Sequence, residues 1–173
     1  PHFNVVTNGT LFNAKTLPVL TKIKASLTIS LDGDKEVNDK TRPNKAGKGV
    51  TDQVVTGLGE LMKIRSSLGQ IGFSGVFGAQ NLEMESAYAF YSQFSPDWLD
   101  FVFDHHNADM DISQKFIDGF SALCEKIFAT EGEQGLRKIK FMDNYFSVLE
   151  SQRRVENFCG AGKSFLMVDA RNN

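Results

Sequence analysis

Apolar and polar positions alternate along Ser26–Leu31: Leu27, Ile29 and Leu31 fall on one side, Thr28 and Ser30 on the other. A period of two predicts a short strand. Asp32-Gly33 ends it, because Gly accepts the positive φ that a sharp exit from a strand often needs. The same pattern occurs earlier, where Phe3-Asn4-Val5-Val6 runs into Thr7-Asn8-Gly9-Thr10. Between the two, Leu17, Leu20 and Ile23 give a short helix one apolar face, with Thr16 as its N-cap and Pro18 tolerated in its first turn. Strand, helix and strand make a βαβ unit.

Further along, residues 33–50 read as a long polar loop, and a loop of that length after a strand is often functional. Thr51 caps the next predicted helix, which carries Val54, Val55, Leu58, Leu61 and Met62 at helical spacing, with Gly57 and Gly59 weakening it locally. Ile71–Phe77 is a third strand. Asn81 is expected to cap a helix bearing Leu82, Met84, Ala87, Tyr88 and Tyr91, and Pro96 interrupts the chain. Leu99–Phe103 is a fourth strand, ending in Asp104-His105-His106-Asn107. Ser113 starts a helix with Phe116, Phe120, Leu123, Cys124, Ile127 and Phe128 on one face. A Gly-rich break at 132–135 separates it from a last helix with Leu136, Ile139, Met142, Phe146 and Leu149. Ser164–Val168 reads as a final strand that opens a small hairpin. The alternation βαβαβαβα predicts an α/β fold: parallel strands with crossover helices, as an open sheet or part of a barrel, since four strands do not close one.

Composition narrows the class. The chain has 173 residues, 41% hydrophobic and 23% charged, which supports one globular domain with a sizeable core. A net charge of -2 with no basic stripe gives no electrostatic case for nucleic acid. No apolar run approaches the ~20 residues of a membrane span, and no signal peptide is visible. Two cysteines, Cys124 and Cys159, are too few for a disulfide framework and fit a cytoplasmic protein. Both ends of the chain read as cut, so a fragment of a longer protein is expected, with exposed sheet edges that invite self-association.

Candidate chemistry gathers at the strand ends, where parallel α/β folds bind their ligands. Thr7, Asn8, Ser30 and Asp32 are delivered there, although Asn-Gly and Asp-Gly pairs also serve as plain turns. Asp104, His105, His106, Asp109 and Asp111 form a dense polar cluster. Imidazole and carboxylate suit divalent transition metals, but the spacing matches no ligand pattern, and a solvated loop with an Asp at a helix start explains it as well. Gly160-Ala161-Gly162-Lys163-Ser164 is not a P-loop, because Asn157 stands where its first Gly belongs and a helix precedes it. Cys124 lies on an apolar helix face as a small core residue, whereas Cys159 lies outside any stripe.

The order of these pieces is similar to a known family. Val6-Thr7-Asn8-Gly9-Thr10-Leu11, then Leu27-Thr28-Ile29-Ser30-Leu31-Asp32-Gly33, then Glu36–Arg42 and Gly47-Lys48-Gly49 resemble the middle of a radical S-adenosylmethionine (SAM) enzyme. The resemblance is to the peptide- and protein-modifying branch that includes anaerobic sulfatase-maturing enzymes. Cys159–Asp169 resembles the start of that branch's SPASM extension. The resemblance implies that residues 1–150 belong to a partial (β/α)6 barrel, as its third to sixth strands, and residues 151–173 to the extension. It implies SAM as cofactor, with a 4Fe-4S cluster that cleaves it to a 5'-deoxyadenosyl radical acting on a peptide or protein substrate. Ser30 would contact the SAM ribose or carboxylate, Asp32 would hold the strand-end geometry, and Arg42 would bind the carboxylate through its fork. Thr7 and Asn8 would line the cavity floor, Cys159 would be the first ligand of an auxiliary cluster, and Asp104 or Asp109 would be the base that takes a substrate proton.

Two family features are absent: the C-x3-C-x2-C motif and the Gly-Gly-Glu strand end. Iron–sulfur sites take about four cysteine thiolates, so the chain alone is expected to hold no cluster and to be inactive. A non-catalytic α/β module that holds a peptide in the same cleft is the alternative. A metal-dependent hydrolase built on residues 104–111 is a third reading.

Overall fold

A computed structural model describes residues 2–152. The elements in order are β1 (Asn4–Thr7), α1 (Leu17–Lys22), β2 (Ser26–Ser30), α2 (Lys35–Thr41), α3 (Thr51–Lys63), β3 (Ile71–Phe77), α4 (Met84–Ser92), β4 (Trp98–Phe103), α5 (Met110–Arg137) and α6 (Lys140–Ser151). The four strands form one parallel sheet in the order β1-β2-β3-β4, and it does not close on itself. This is the α/β arrangement of a partial barrel that the alternation predicts. The expected hairpin, its Cys159 and the rest of residues 153–173 lie outside the described residues.

Strand alternation sorts the sheet into two unlike faces. On one, Leu27, Ile29, Leu31, Ile71, Phe73, Phe77 and Leu99 are at most 1% exposed and pack against Val54, Leu58, Leu61, Ala87, Tyr91 and Ile127 of the helices. Burying each such large side chain contributes roughly 1.5–3 kcal/mol. The opposite face mixes polar and small residues with exposed Val6, Val76 and Val102: the register aligns Ser30 with Ser74 and Asp100, and Thr28 with Val6, Gly72 and, through Gly72, Trp98. A Cβ at Gly72 would stand 2.1 Å from the Trp98 ring, so the glycine lets the indole lie across the sheet. Beside β4, Leu99 donates its N–H to the Lys138 carbonyl at 2.6 Å, and the α5–α6 connection shields that edge.

Several expected boundaries move, each for a visible reason. The polar stretch 33–50 contains α2, capped by the Asp34 carboxylate accepting from Val37 N–H at 3.2 Å. It escapes periodicity because α2 buries a polar residue, Asn38, in place of an apolar stripe. Asn81 does not cap α4, which begins at Met84, and α5 begins at Met110 with Asp109, not Ser113, as its N-cap. Thr16 does stand at the N-cap of α1, as expected, with Pro18 in the first turn, but its side chain makes no capping bond. Gly132, at φ 67°, breaks α5 within the expected Gly-rich stretch.

Thr51 is the first residue of α3, not its cap. The cap comes from α2: one Asp39 oxygen accepts from Val50 N–H and Thr51 N–H at 2.8 Å each and from the Thr51 hydroxyl at 2.6 Å. Gly49 makes room, since a Cβ there would fall 2.2 Å from the Asp39 carboxyl carbon. The Thr51 hydroxyl bond, then the backbone donors, hold the Asp39 pKa below its ordinary value. A depressed folded pKa contributes stability above the unfolded value of about 3.9 that is lost as pH falls through the folded value. Asp39→Asn is therefore expected to lower the urea midpoint at neutral pH, by about 1 kcal/mol in stability, and to flatten its acid dependence. A variant whose midpoint falls with acid as steeply as the parent's would show that Asp39 does not carry that dependence.

Candidate functional site

At the carboxyl end of β2 the ladder gives way to side chains. Leu31 N–H makes the last rung to the Ser74 carbonyl at 3.1 Å, and the Tyr91 hydroxyl donates to the Leu31 carbonyl at 2.6 Å. Burial, and secondly the Asp32 charge, hold the Tyr91 phenol far above its ordinary pKa, so it stays a donor. Asp32 is then held at its N–H, its carbonyl and one carboxylate oxygen. Its N–H donates to Asn38 Oδ1 at 3.1 Å, and its carbonyl accepts from Asn81 Nδ2. Its carboxylate Oδ1 accepts from Val76 N–H at 2.9 Å and from Arg42 Nη2 at 2.8 Å. The carboxylate is 7% exposed and the Arg42 side chain 30%. Arg42 meets Asp32 through one nitrogen, and its Nε is buried without a partner.

Beside this pair lies a cavity of about 260 Å³, whose wall includes Asp32, Thr41, Gly78, Asn81, Asp104 and Asn107. Gly78 and Asn81 close a tight turn with reciprocal backbone bonds of 2.8 and 3.0 Å. A Cβ at Gly78 would approach the Asp104 Cβ to 2.9 Å, so the turn lies directly against that residue. Asp104 continues the β3–β4 pairing through its N–H to the Phe77 carbonyl at 2.8 Å. Asn107 Nδ2 at 2.8 Å, then His106 N–H at 3.1 Å, bond to its carboxylate and hold its pKa below the usual range.

Of the residues singled out in the sequence, Asp32 and Asp104 share this cavity, with Arg42 adjoining through Asp32. Ser30 faces the polar side of the sheet, level with Ser74, and its hydroxyl has no partner among the described residues. Thr7 and Asn8 are turned to local work: Thr7 Oγ1 accepts from Gly9 N–H, and Asn8 Oδ1 accepts from Thr10. Neither lines the cavity beside Asp32. Asp109 is spent on capping α5, Asp111 pairs with Lys115 at 2.6 Å, and His105 lies edge-on to Phe103. The cluster at 104–111 does not converge, and among the described residues no three His, Cys, Asp or Glu side chains could hold a metal ion together. Cys124 is half-buried on α5, and burial raises its thiol pKa.

Sequence reasoning missed Asn38, Asn81, Tyr91 and Ser74 as parts of the site. Ser74 carried a signal, since it alternates with Phe73 in the same phase as Ser30 does with Ile29. The two asparagines carried none, because both lie in segments where Asn reads as turn or cap.

No protein-family model matches the chain, and no curated protein does. Solved structures do match. The chain is similar to native anSMEcpe with bound AdoMet and Cp18Cys peptide at TM-score 0.75 and 16% identity, over 92% of this chain and 45% of that one. It is similar to native anSMEcpe with bound AdoMet and Kp18Cys peptide at 0.73 and 16%, over 90% and 44%. Native anSMEcpe with bound AdoMet gives 0.72 and 16%, over 90% and 44%. The chain thus spans less than half the length of these proteins, and what it shares with that part of them is the fold, here four parallel strands alternating with helices.

Proposed function

We propose that this chain is the SAM-holding portion of a radical SAM enzyme that modifies a peptide or protein. The observation that carries the reading is Arg42, held against Asp32 by one nitrogen with its Nε buried and unpartnered. A buried donor without an acceptor costs about 1–3 kcal/mol, and a ligand carboxylate would satisfy it in a charge-assisted bond. The free Ser30 hydroxyl offers a second contact at the same strand end. Support also comes from fold likeness to anSMEcpe, which holds AdoMet and, in two structures, a peptide. When bound beside a reduced 4Fe-4S cluster, SAM supplies hydrogen-atom abstraction. The two cysteines of this chain do not make a cluster site, so its own share is binding and orientation. Asp104, ionised and on the cavity wall, is the residue placed to accept a substrate proton. Asp109 caps α5 through one carboxylate oxygen and is not among the residues of that wall.

Calorimetric titration of the chain tests this. SAM is expected to bind, and Arg42→Lys, which keeps the charge toward Asp32 but removes Nε, is expected to weaken it about tenfold. Methylthioadenosine, which has no carboxylate, should bind both forms equally. Absence of SAM binding to the parent chain, or equal loss of both ligands, sinks the reading. In the gene, C-x3-C-x2-C should precede this region; its absence would favour the non-catalytic peptide-binding module.

A further inference from the structure

We infer that Asn81 and Asn38 are positioning residues that lock Asp32, and through it Arg42, into the geometry that receives a ligand's carboxylate. The ligand half of this inference rests on the function proposed above; the positioning half does not.

Both side chains are among the few buried polar groups, 5% and 1% exposed. They act on opposite ends of the same residue: Asn38 accepts the Asp32 N–H, and Asn81 donates to the Asp32 carbonyl. Beyond Leu31 the β2–β3 ladder no longer supplies these bonds, so the two amides stand in for a neighbouring strand. With its backbone held at both ends, the Asp32 carboxylate can bridge Val76 N–H and Arg42 with one oxygen.

Each amide is itself held from behind. Asn38 Nδ2 donates to the Thr51 hydroxyl at 2.9 Å, and that hydroxyl donates to Asp39, tying the clamp to the start of α3. Asn81 Oδ1 accepts from Glu83 N–H at 3.2 Å, tying it to the start of α4. Two helices therefore set one carboxylate. A buried amide with its donors and acceptor used holds one orientation, which a small apolar residue would not.

Hydrogen exchange by NMR on the whole chain tests the positioning half without a ligand. Val76 and Asp32 amides report the clamp; Ile29 and Phe73 amides report the sheet at large. In Asn81→Ala, exchange at Val76 and Asp32 is expected to quicken about tenfold while Ile29 and Phe73 keep their protection. Asn81→Asp keeps the acceptor for Glu83 N–H but loses the donor to Asp32, and should show the same local pattern. Equal loss of protection at all four amides would make the asparagine a general scaffold residue and overturn the inference, as would a Val76 amide unchanged in both variants. SAM affinity tests the other half: about tenfold weaker binding in Asn81→Asp is expected. A local exchange effect with unchanged SAM affinity would retain the clamp and overturn its role toward the ligand. If the parent chain binds no SAM, the proposed function fails while the exchange result stands.

Discussion

Asp32→Ala is expected to lose about 3 kcal/mol of folding stability, the low end of what removing one partner of a buried ion pair costs. The carboxylate is almost fully buried, and its loss leaves Arg42 with both Nε and Nη2 unpaired. It also strips Val76 N–H of its acceptor. The low end applies because the Arg42 side chain remains 30% exposed and water reaches part of it. Asp32→Asn should cost less, since an amide oxygen still accepts from Val76. Urea unfolding of the three forms measures this; a loss in Asp32→Ala under about 1 kcal/mol would mean that solvent replaces the carboxylate.

The second large effect belongs to Gly75→Ala, expected to cost about 3 kcal/mol through overpacking combined with a lost buried hydrogen bond. Gly75 lies in the middle of β3, on the face packed by helices. A Cβ there would stand 2.5 Å from the Tyr91 hydroxyl and 2.7 Å from the Leu31 carbonyl, the two atoms that bond to each other. The carbonyl is backbone and cannot swing away, so Tyr91 must leave, and the phenol is then buried without an acceptor. Tyr91 also stacks on Phe73 at 5.3 Å between ring centres, so its displacement loosens the core beneath the site. Gly59→Ala is the matched comparison. Nothing lies within 4 Å of a Cβ there, and in α3 the change should stabilise by about 0.5–1 kcal/mol. Equal midpoints for the two variants would contradict this packing.

The strands were legible because each obeys a local rule. Leu27, Ile29 and Leu31 alternate with Thr28 and Ser30 whatever surrounds them, and the intervening helices other than α2 keep an apolar stripe, so the order of parallel βα units followed from pattern alone. Helix starts were less legible. A cap is one polar residue among several: Asp109 caps α5 four residues before Ser113, and α3 takes its cap from Asp39, twelve residues upstream of Thr51.

At the site, Asp32 and Asp104 could be named because they sit at strand ends, and strand direction is a property of the chain. Asn81 could not, because its partner Asp32 lies 49 positions away and nothing local distinguishes a clamp from a cap. The alternation of elements, the apolar face of the sheet and the end at which polar groups collect could all be read from the order of the residues. Which of those groups meet was settled by the packing of the folded chain. Hydrophobic periodicity is written into neighbouring residues, whereas a buried hydrogen bond is satisfied by whichever donor the packing of distant helices brings within reach.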